Sequence, residues 1–484
     1  MNIKGQFAKG GAIIGVSQVT SQFCSLGRNV IIARLISPAD FGIAAVFLLV
    51  VSLLEMISNL SLDRLLIQSP EGDDEKFQSV AHLLQAVRGV VNCGVLLILA
   101  SPVATLFSIP EATGSFYVLA FIPLINGFLH FDTRRMERTL RFWPNASIEI
   151  TSQIVMLILA WPIGEWFGDY RAMLCLLLLK TLIMVAGTHV IADRKYRWSN
   201  DRQYTKRFLS FGWPLLINGL LLFGILQGDK FILSSAKKLF NSTYDMSDVG
   251  LYSAAFMLAM MPAMIFGRVA SLLFLPMLSK QQNSHRTFTA KARLYSQGLV
   301  VGVLAIGTLM LLTGDKLLPV VYGTQYRVEG GLVGWLSVMW AIRILRVLPA
   351  TISMAKGNTT NLMYANTIRI LFLAGVVFVV IQEMNMAWIA IVGITGEICA
   401  YLGSLYLNKK YLKIPLSISS HSDVLLTFGL LIAAMLNISV INNMSGTLWF
   451  ISVCITSLVL PSLMLVFLPV ARQKLASHYN ARLL

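Results

Sequence analysis

The feature that most constrains this chain is the recurrence of long apolar runs, each about 20 residues and separated by short polar connectors. As a helix rising about 1.5 Å per residue, such a run crosses the ~30 Å hydrocarbon core of a bilayer. Where no water is present, a helix satisfies its own backbone N–H and C=O groups. Runs of this kind lie near 11–35, 39–62, 80–101, 114–131, 146–163 and 172–192. Six more fall near 211–234, 249–278, 294–313, 332–355, 362–381 and 387–408, and a nearly uncharged pair follows near 424–441 and 447–470. The expected fold is therefore an all-α integral membrane protein with about 14 transmembrane helices. These spans take up most of the 484 residues and leave no room for a soluble catalytic domain. The first run follows Lys4 and Lys9 but carries Gln18, Gln22 and Arg28 and lacks a small-residue cleavage site, so it reads as a span rather than a signal peptide.

Charged residues make up only 13% of the chain, yet their net balance is +16. Their placement argues against nucleic acid as a partner, because no basic stripe interleaved with aromatics follows one exposed element. Most bases fall in alternate loops instead, as positive-inside topology requires. The connector with Arg134, Arg135, Arg138 and Arg141 and the one from Arg194 to Arg207 should be cytoplasmic, which puts both termini inside. The weakest loop for this rule is 63–76, where Glu71, Asp73, Asp74 and Glu75 offset the bases. The five cysteines sit in apolar runs without disulfide or zinc spacing and read as packing residues. Histidines 82, 130, 189, 285, 421 and 478 lie in loops or at span ends with no ligand spacing, and no role or metal is assigned to them.

An internal repeat organises the spans. The first span ends in Gly27-Arg28 and leads to Ser37-Pro38-Ala39-Asp40-Phe41-Gly42; the seventh ends in Gly228-Asp229-Lys230 and leads to Ser247-Asp248-Val249-Gly250. Six spans separate the copies, so both halves have the same orientation, related by a pseudo-two-fold axis along the membrane normal. This predicts two six-helix lobes, 1–207 and 208–413, around a central cleft, with an additional span pair in 414–484.

Taken as local chemistry, Ser37-Pro38-Ala39-Asp40 is a helix start: an N-cap, a proline at the first helical position and an acid in the first turn. As a motif, Leu35-Ile36-Ser37-Pro38-Ala39-Asp40-Phe41-Gly42 joining the first two spans resembles the polysaccharide-biosynthesis flippases of the multidrug/oligosaccharidyl-lipid/polysaccharide exporter superfamily. The likeness continues through Gln85-Ala86-Val87-Arg88-Gly89 and Phe211-Gly212-Trp213-Pro214, and is nearest to the O-antigen and exopolysaccharide type. The resemblance implies lobes that alternate access to a cationic cavity in the bacterial inner membrane. It implies an undecaprenyl-diphosphate-linked oligosaccharide as cargo, and a polysaccharide polymerase and chain-length regulator as candidate partners.

A charge at the bilayer centre costs about 2.5 to 3.5 kcal/mol on insertion scales, so ionisable residues inside spans face a polar cavity or a partner. Arg28, Arg88, Lys180, Lys230, Arg268, Arg343 and Arg346 are the candidate cargo-binding cations. Arg343 and Arg346, three apart, share a helix face, and guanidinium forks suit diphosphate oxygens. Lys230 and Arg369 are near enough to span ends to snorkel. Glu55, Asp229 and Glu397 are candidates for coupling to a proton or sodium gradient or to the membrane potential, with pairing to a neighbouring arginine as the simpler reading of Glu55 and Glu397. Pro123, Pro262 and Pro349 should kink their spans. No cofactor is expected, and no phosphate-binding Gly-rich loop suggests direct ATP use.

Three other readings stay open. A multidrug antiporter would concentrate acids rather than bases in its cavity. A lipid-linked peptidoglycan precursor flippase differs only in cargo. A membrane-embedded glycan polymerase or ligase would need a larger extramembrane loop bearing catalytic carboxylates. Topology is directly testable: reporters active only outside the cell should be active after Ser108 and Gly446 and silent after Arg138, Arg202 and Lys410. Activity at Arg202 would overturn this orientation.

Overall fold

The computed structural model describes residues 3–279, 285–355 and 360–412; the expected final span pair, 424–441 and 447–470, lies outside them. The chain divides into two compact units, Met1–Ser253 and a second beginning at Ala254. Among the described residues the regular structure is entirely helical. It begins with α1 (Ile3–Leu35), α2 (Pro38–Ile57), α3 (Leu62–Gln68), α4 (Glu75–Leu106), α5 (Thr113–Leu119) and α6 (Phe121–Asn126). Next come α7 (Asp132–Arg138), α8 (Trp143–Phe167), α9 (Arg171–Ile191), α10 (Arg202–Ser234), α11 (Ala236–Phe240) and α12 (Met246–Ser279). The remainder are α13 (His285–Tyr322), α14 (Leu332–Leu345), α15 (Val347–Ala355), α16 (Thr360–Leu371), α17 (Leu373–Ile381) and α18 (Ala387–Leu412). Every expected span up to 387–408 falls largely on helix, and among the described residues 10 stretches are long and apolar enough to cross a membrane. The expected first span, α1, and the expected fourth, split between α5 and α6, are not among those 10.

In the first unit α1 packs on α8, α8 on α9, α4 on α5 and α6, and α10 on α2. The start of α2 is the expected cap: Ser37 Oγ accepts from the Asp40 N–H at 3.1 Å, with Pro38 at the first helical position. Its end differs from the expected 39–62 span. Ser58 Oγ turns back to the Leu54 carbonyl at 2.5 Å, Asn59 Oδ1 accepts from the Ser61 N–H at 2.8 Å, and Ser61 adopts a left-handed φ of 49°. Short polar side chains here offer the backbone local partners that compete with the helix ladder, so α2 stops at Ile57. α10 lies along this broken end, where a Cβ on Gly219 would overlap the Met56 carbonyl oxygen. The fourth span is broken at Ala120, just before Pro123, and α4 meets it through Gly89, where a Cβ would stand 2.7 Å from the Gly127 Cα. One turn earlier, Gln85 Nε2 donates to the Asn126 carbonyl at 3.0 Å. The Gln85 to Gly89 motif is thereby accounted for physically: a side-chain amide serves the broken helix and a glycine admits it.

In the second unit α14 packs on α13 and α18, and α16 on α18. The tenth span breaks at Arg346, between α14 and α15. Pro349 sits one turn later and has no N–H to return to the preceding turn. The Pro349 carbonyl accepts from Asn408 Nδ2 at 2.9 Å, and Asn408 Oδ1 in turn accepts from Asn361 Nδ2 at 2.7 Å.

At one end of the first unit the connectors form a compact polar layer. The acids of the 63–76 loop meet the bases of 194–207: Glu71 with Arg207 at 2.8 Å and Asp73 with Arg194 at 3.1 Å, while Asp74 accepts from Tyr204 Oη at 2.8 Å. Phe77 stacks on Phe208 at 4.5 Å beneath them. The two loops therefore share one face of the unit. Three histidines to which sequence reading assigns no role, His82, His130 and His189, converge here, the His189 ring lying 5.0 Å from that of Tyr196. His82 Nε2 accepts from the Phe131 N–H at 3.0 Å while its Nδ1 lies 3.2 Å from the Arg197 carbonyl. His130 Nδ1 accepts from the Asp132 N–H at 3.1 Å while its Nε2 lies 3.0 Å from the Arg194 carbonyl. With Tyr196 stacked 4.4 Å over His82, these rings pin the 194–197 segment to α4 and α7. They lie far apart in sequence, so no spacing announces them.

Asp132 anchors the same segment, accepting from Arg135 Nε at 2.6 Å and from the Asp193 and Arg194 N–H groups at 2.8 and 3.2 Å. Burial alone would raise the Asp132 carboxyl, but the Arg135 guanidinium and the two backbone donors outweigh it and hold the group below its ordinary value. With its folded pKa depressed, this carboxylate contributes stability above the unfolded value of about 4 and loses it as pH falls through the folded one. Asp132→Asn should lower the thermal midpoint by several degrees and expose the 193–198 segment to protease. Arg141→Gln, at an exposed pair 3.8 Å from Asp193, should leave both unchanged.

Candidate functional site

The buried charges form one cluster in the second unit and a looser group in the first. In the second unit Glu397 on α18 has a fully buried side chain. Its carboxylate meets Arg343 Nε at 2.9 Å, Arg346 Nε at 3.5 Å and Arg369 Nε at 3.3 Å. Arg346 Nη1 also donates to Asn366 Oδ1 at 3.1 Å, and the Arg343 guanidinium lies 4.6 Å over the Trp340 ring. Three guanidiniums against one carboxylate leave two positive charges.

The local sequence explains how so large a cluster fits. Arg343 and Arg346 share a face at the end of α14, as their spacing predicts. Arg369 crosses from α16 over Gly393 and Gly396, where a Cβ on Gly396 would stand 3.1 Å from Arg369 Cδ. Gly393-x-x-Gly396-Glu397 thus makes a slot on α18 that ends in the carboxylate. Arg369 does not snorkel from a span end; it is only 3% exposed. The paired small residues preceding Glu397 are the one signal in the sequence that points to a partner here.

In the first unit Glu55 accepts from Asn126 Nδ2 at 3.1 Å. The Arg88 guanidinium turns to the broken end of α2, donating to Ser58 Oγ at 3.0 Å and to the Glu55 carbonyl oxygen at 3.2 Å. Asn92 Nδ2 reaches the same Ser58 Oγ at 2.9 Å. A small recess lies among Glu55, Gln85, Arg88, Asn92, Pro123 and Asn126. Lys180 on α9 feels the charges of Glu149, Arg28 and Glu55. Arg28 is buried on α1, with Nη2 3.3 Å from Ser25 Oγ and 3.2 Å from Asn29 Oδ1. Glu55 and Arg88 therefore line one polar recess between α2 and α4, within electrostatic reach of Lys180 on α9, which in turn feels Arg28 on α1. Asp229 on α10 stands apart from it, accepting from Tyr252 Oη at 2.6 Å beside the buried Lys230. Arg268 is on α12, with its side chain outside the described residues. Beyond the expected charges, the structure adds Asn92, Asn126 and Asn366 as amides that position them.

Known proteins share this plan. A family model described as Polysaccharide biosynthesis protein matches residues 31–329. The succinoglycan biosynthesis transport protein ExoT of Rhizobium meliloti (strain 1021) is 25% identical over 317 residues, which cover 64% of this chain. The match spans 61% of that relative's length. Among solved structures, the lipid II flippase MurJ in an inward closed conformation superposes with a TM-score of 0.70 at 15% identity, covering 93% of this chain and 97% of that one. An inward-facing multidrug resistance MATE family transporter of the MOP superfamily gives 0.57 at 14% identity, with 83% and 96% covered. The Vibrio cholerae MATE transporter VcmN gives 0.51 at 12% identity, with 84% and 97% covered. At these identities the structures establish a common fold, and with 10 helices of membrane-crossing length among its described residues the chain is a multi-pass membrane protein that, by the family model, belongs to the Polysaccharide biosynthesis protein family.

Proposed function

We propose that this chain is a flippase that carries an undecaprenyl-diphosphate-linked oligosaccharide from the cytoplasmic to the external leaflet by alternating access, for O-antigen or exopolysaccharide synthesis. The observation that supports it most is the charge of the Arg343, Arg346, Arg369 and Glu397 cluster, two positive in excess. A diphosphate diester carries two negative charges, so this cargo would bring the cluster to neutrality. A cationic drug would add to charges that already repel one another. The name of the ExoT relative, given for succinoglycan biosynthesis transport, agrees with a polysaccharide cargo.

On this reading the repeat copies 1–207 and 208–413 act as the two lobes, and Arg28, Arg88, Lys180, Lys230 and Arg268 supply further cationic contacts along the path. Glu397 serves as the standing counter-charge of the arginines. Glu55 and Asp229, which meet an amide and a phenol rather than a guanidinium, are the better candidates for exchanging a coupling ion. A polymerase and a chain-length regulator would receive the product on the outer face.

Folding and transport make different demands on this cluster. Glu397→Ala strands the buried guanidiniums of Arg346 and Arg369 together with the half-buried Arg343 and should cost about 3 to 5 kcal/mol, seen as loss of folded protein from the membrane. Arg343→Ala, Arg346→Ala or Arg369→Ala alone leaves the carboxylate paired, and membrane levels should stay near those of the unmodified chain. Polymer export normalised to that level should nonetheless vanish in Arg346→Ala and return only partly in Arg346→Lys, which keeps the charge but loses the fork. Near-normal export from Arg343→Ala combined with Arg346→Ala would remove the support for an anionic cargo. Deleting the gene should cause one undecaprenyl-diphosphate intermediate to accumulate on the inner leaflet, and its glycan would identify the cargo.

A further inference from the structure

The two copies of the repeat touch each other through the same residue. Asp40 corresponds to Asp248 and Gly42 to Gly250, and one turn earlier Pro38 corresponds to Met246. A Cβ on Gly42 would overlap the Met246 carbonyl oxygen and stand 3.0 Å from the Gly250 nitrogen. A Cβ on Gly250 would overlap the Pro38 carbonyl oxygen and stand 3.0 Å from the Gly42 nitrogen. The first turns of α2 and α12 thus cross backbone to backbone about a local two-fold axis, each glycine seated on the carbonyl that its counterpart's own helix presents.

Such a crossing is strong in shape and weak in bonding. Pro38, Gly42, Met246 and Gly250, the residues that meet here, carry no charged group and no side-chain N or O, so what they contribute to one another is dispersion and Cα–H···O=C contact, second-order terms that break at small cost. A single methyl group, however, excludes it, because the obstacle on each side is backbone rather than a rotatable side chain. A contact that is cheap to part and intolerant of any bulk suits a surface that must repeatedly open and reseat.

We propose that the Gly42–Gly250 crossing is the closing contact of the end of the bundle that bears Ser37 and Ser247, and that it parts whenever the transport path opens to that side. The inference rests on alternating access and is independent of which cargo moves. A methyl at either glycine would penalise only the state closed at this end, and would shift the population toward the state open there by about tenfold or more.

Ser253 provides a reporter, since it lies one turn deeper on α12 and is fully buried. In the full chain in its native membrane, Ser253→Cys should react slowly with a membrane-impermeant maleimide applied from the Ser37 side. Adding Gly42→Ala or Gly250→Ala should raise that rate at least tenfold, with no rise for reagent applied from the opposite side. Gly94→Ala, where a Cβ meets nothing within 4 Å, should leave it unchanged. An unchanged rate in the Gly42 and Gly250 variants, or an equal rise from both sides, would overturn the proposal. If these variants fail to reach the membrane, Asp40→Cys with Asp248→Cys and a short bis-maleimide decides the matter. Cross-linking should occur and stop polymer export, whereas failure to cross-link, or export that continues across the link, would refute the closing contact. The labelling arm reads conformation without cargo, so its outcome stands even if the accumulating lipid intermediate shows the cargo assignment to be wrong.

Discussion

Moving a charge from water into the interior of a helix bundle costs several kcal/mol per ion, and the organisation of both units follows from how each buried charge is met. In the second unit a single carboxylate, Glu397, answers three guanidiniums drawn from α14 and α16. Remove it and three cations lose the anion they share; remove one arginine and the carboxylate is still held. The polar interior of α14, α16 and α18 therefore depends on Glu397 more than on any of its partners. In the first unit the charges are met by amides and by the freed backbone of a broken helix, so Glu55 and Arg88 are near neighbours without sharing a direct side-chain bond.

Breaks in the helices and buried polar groups go together. α2 ends at Ser58, the fourth span breaks before Pro123, and the tenth breaks before Pro349. Each leaves carbonyls that hydrocarbon cannot hydrate, and at each a side chain donates to the backbone: Arg88 and Ser58 at the end of α2, Gln85 at the fourth span and Asn408 at the tenth. Irregular backbone at membrane depth is tolerated only where protein or cavity water receives it. Breaks of this kind thus coincide with the polar interiors of the two units.

The layer of connectors at one end of the first unit has a different logic. Acids of 63–76, which weaken the topological signal of their loop, serve as partners for the bases of 194–207. Three imidazoles use both ring nitrogens or a ring face to hold a segment that has no regular structure of its own. Acidic residues count little in positive-inside topology because it is set during insertion, whereas these pairs form after the loops have folded together.

The all-helical fold, ten of the twelve expected spans up to 387–408 and the start of α2 could be read from the sequence, because helical periodicity, capping and hydropathy are local properties of a chain in a bilayer. The pairing of Arg343 and Arg346 on one face is of the same kind. Other features required the tertiary structure. Arg369 stands at a position from which a long side chain could reach headgroups, and only the glycine slot on α18 shows that it turns inward to Glu397. Asn126 finds Glu55 and His82 finds Phe131 across long separations in sequence, and Gly42 finds Gly250 in the other copy of the repeat. A sequence determines which groups must be satisfied once water is removed. Which group satisfies each is decided by helices crossing in space, where a difference of one turn or one methyl selects the partner.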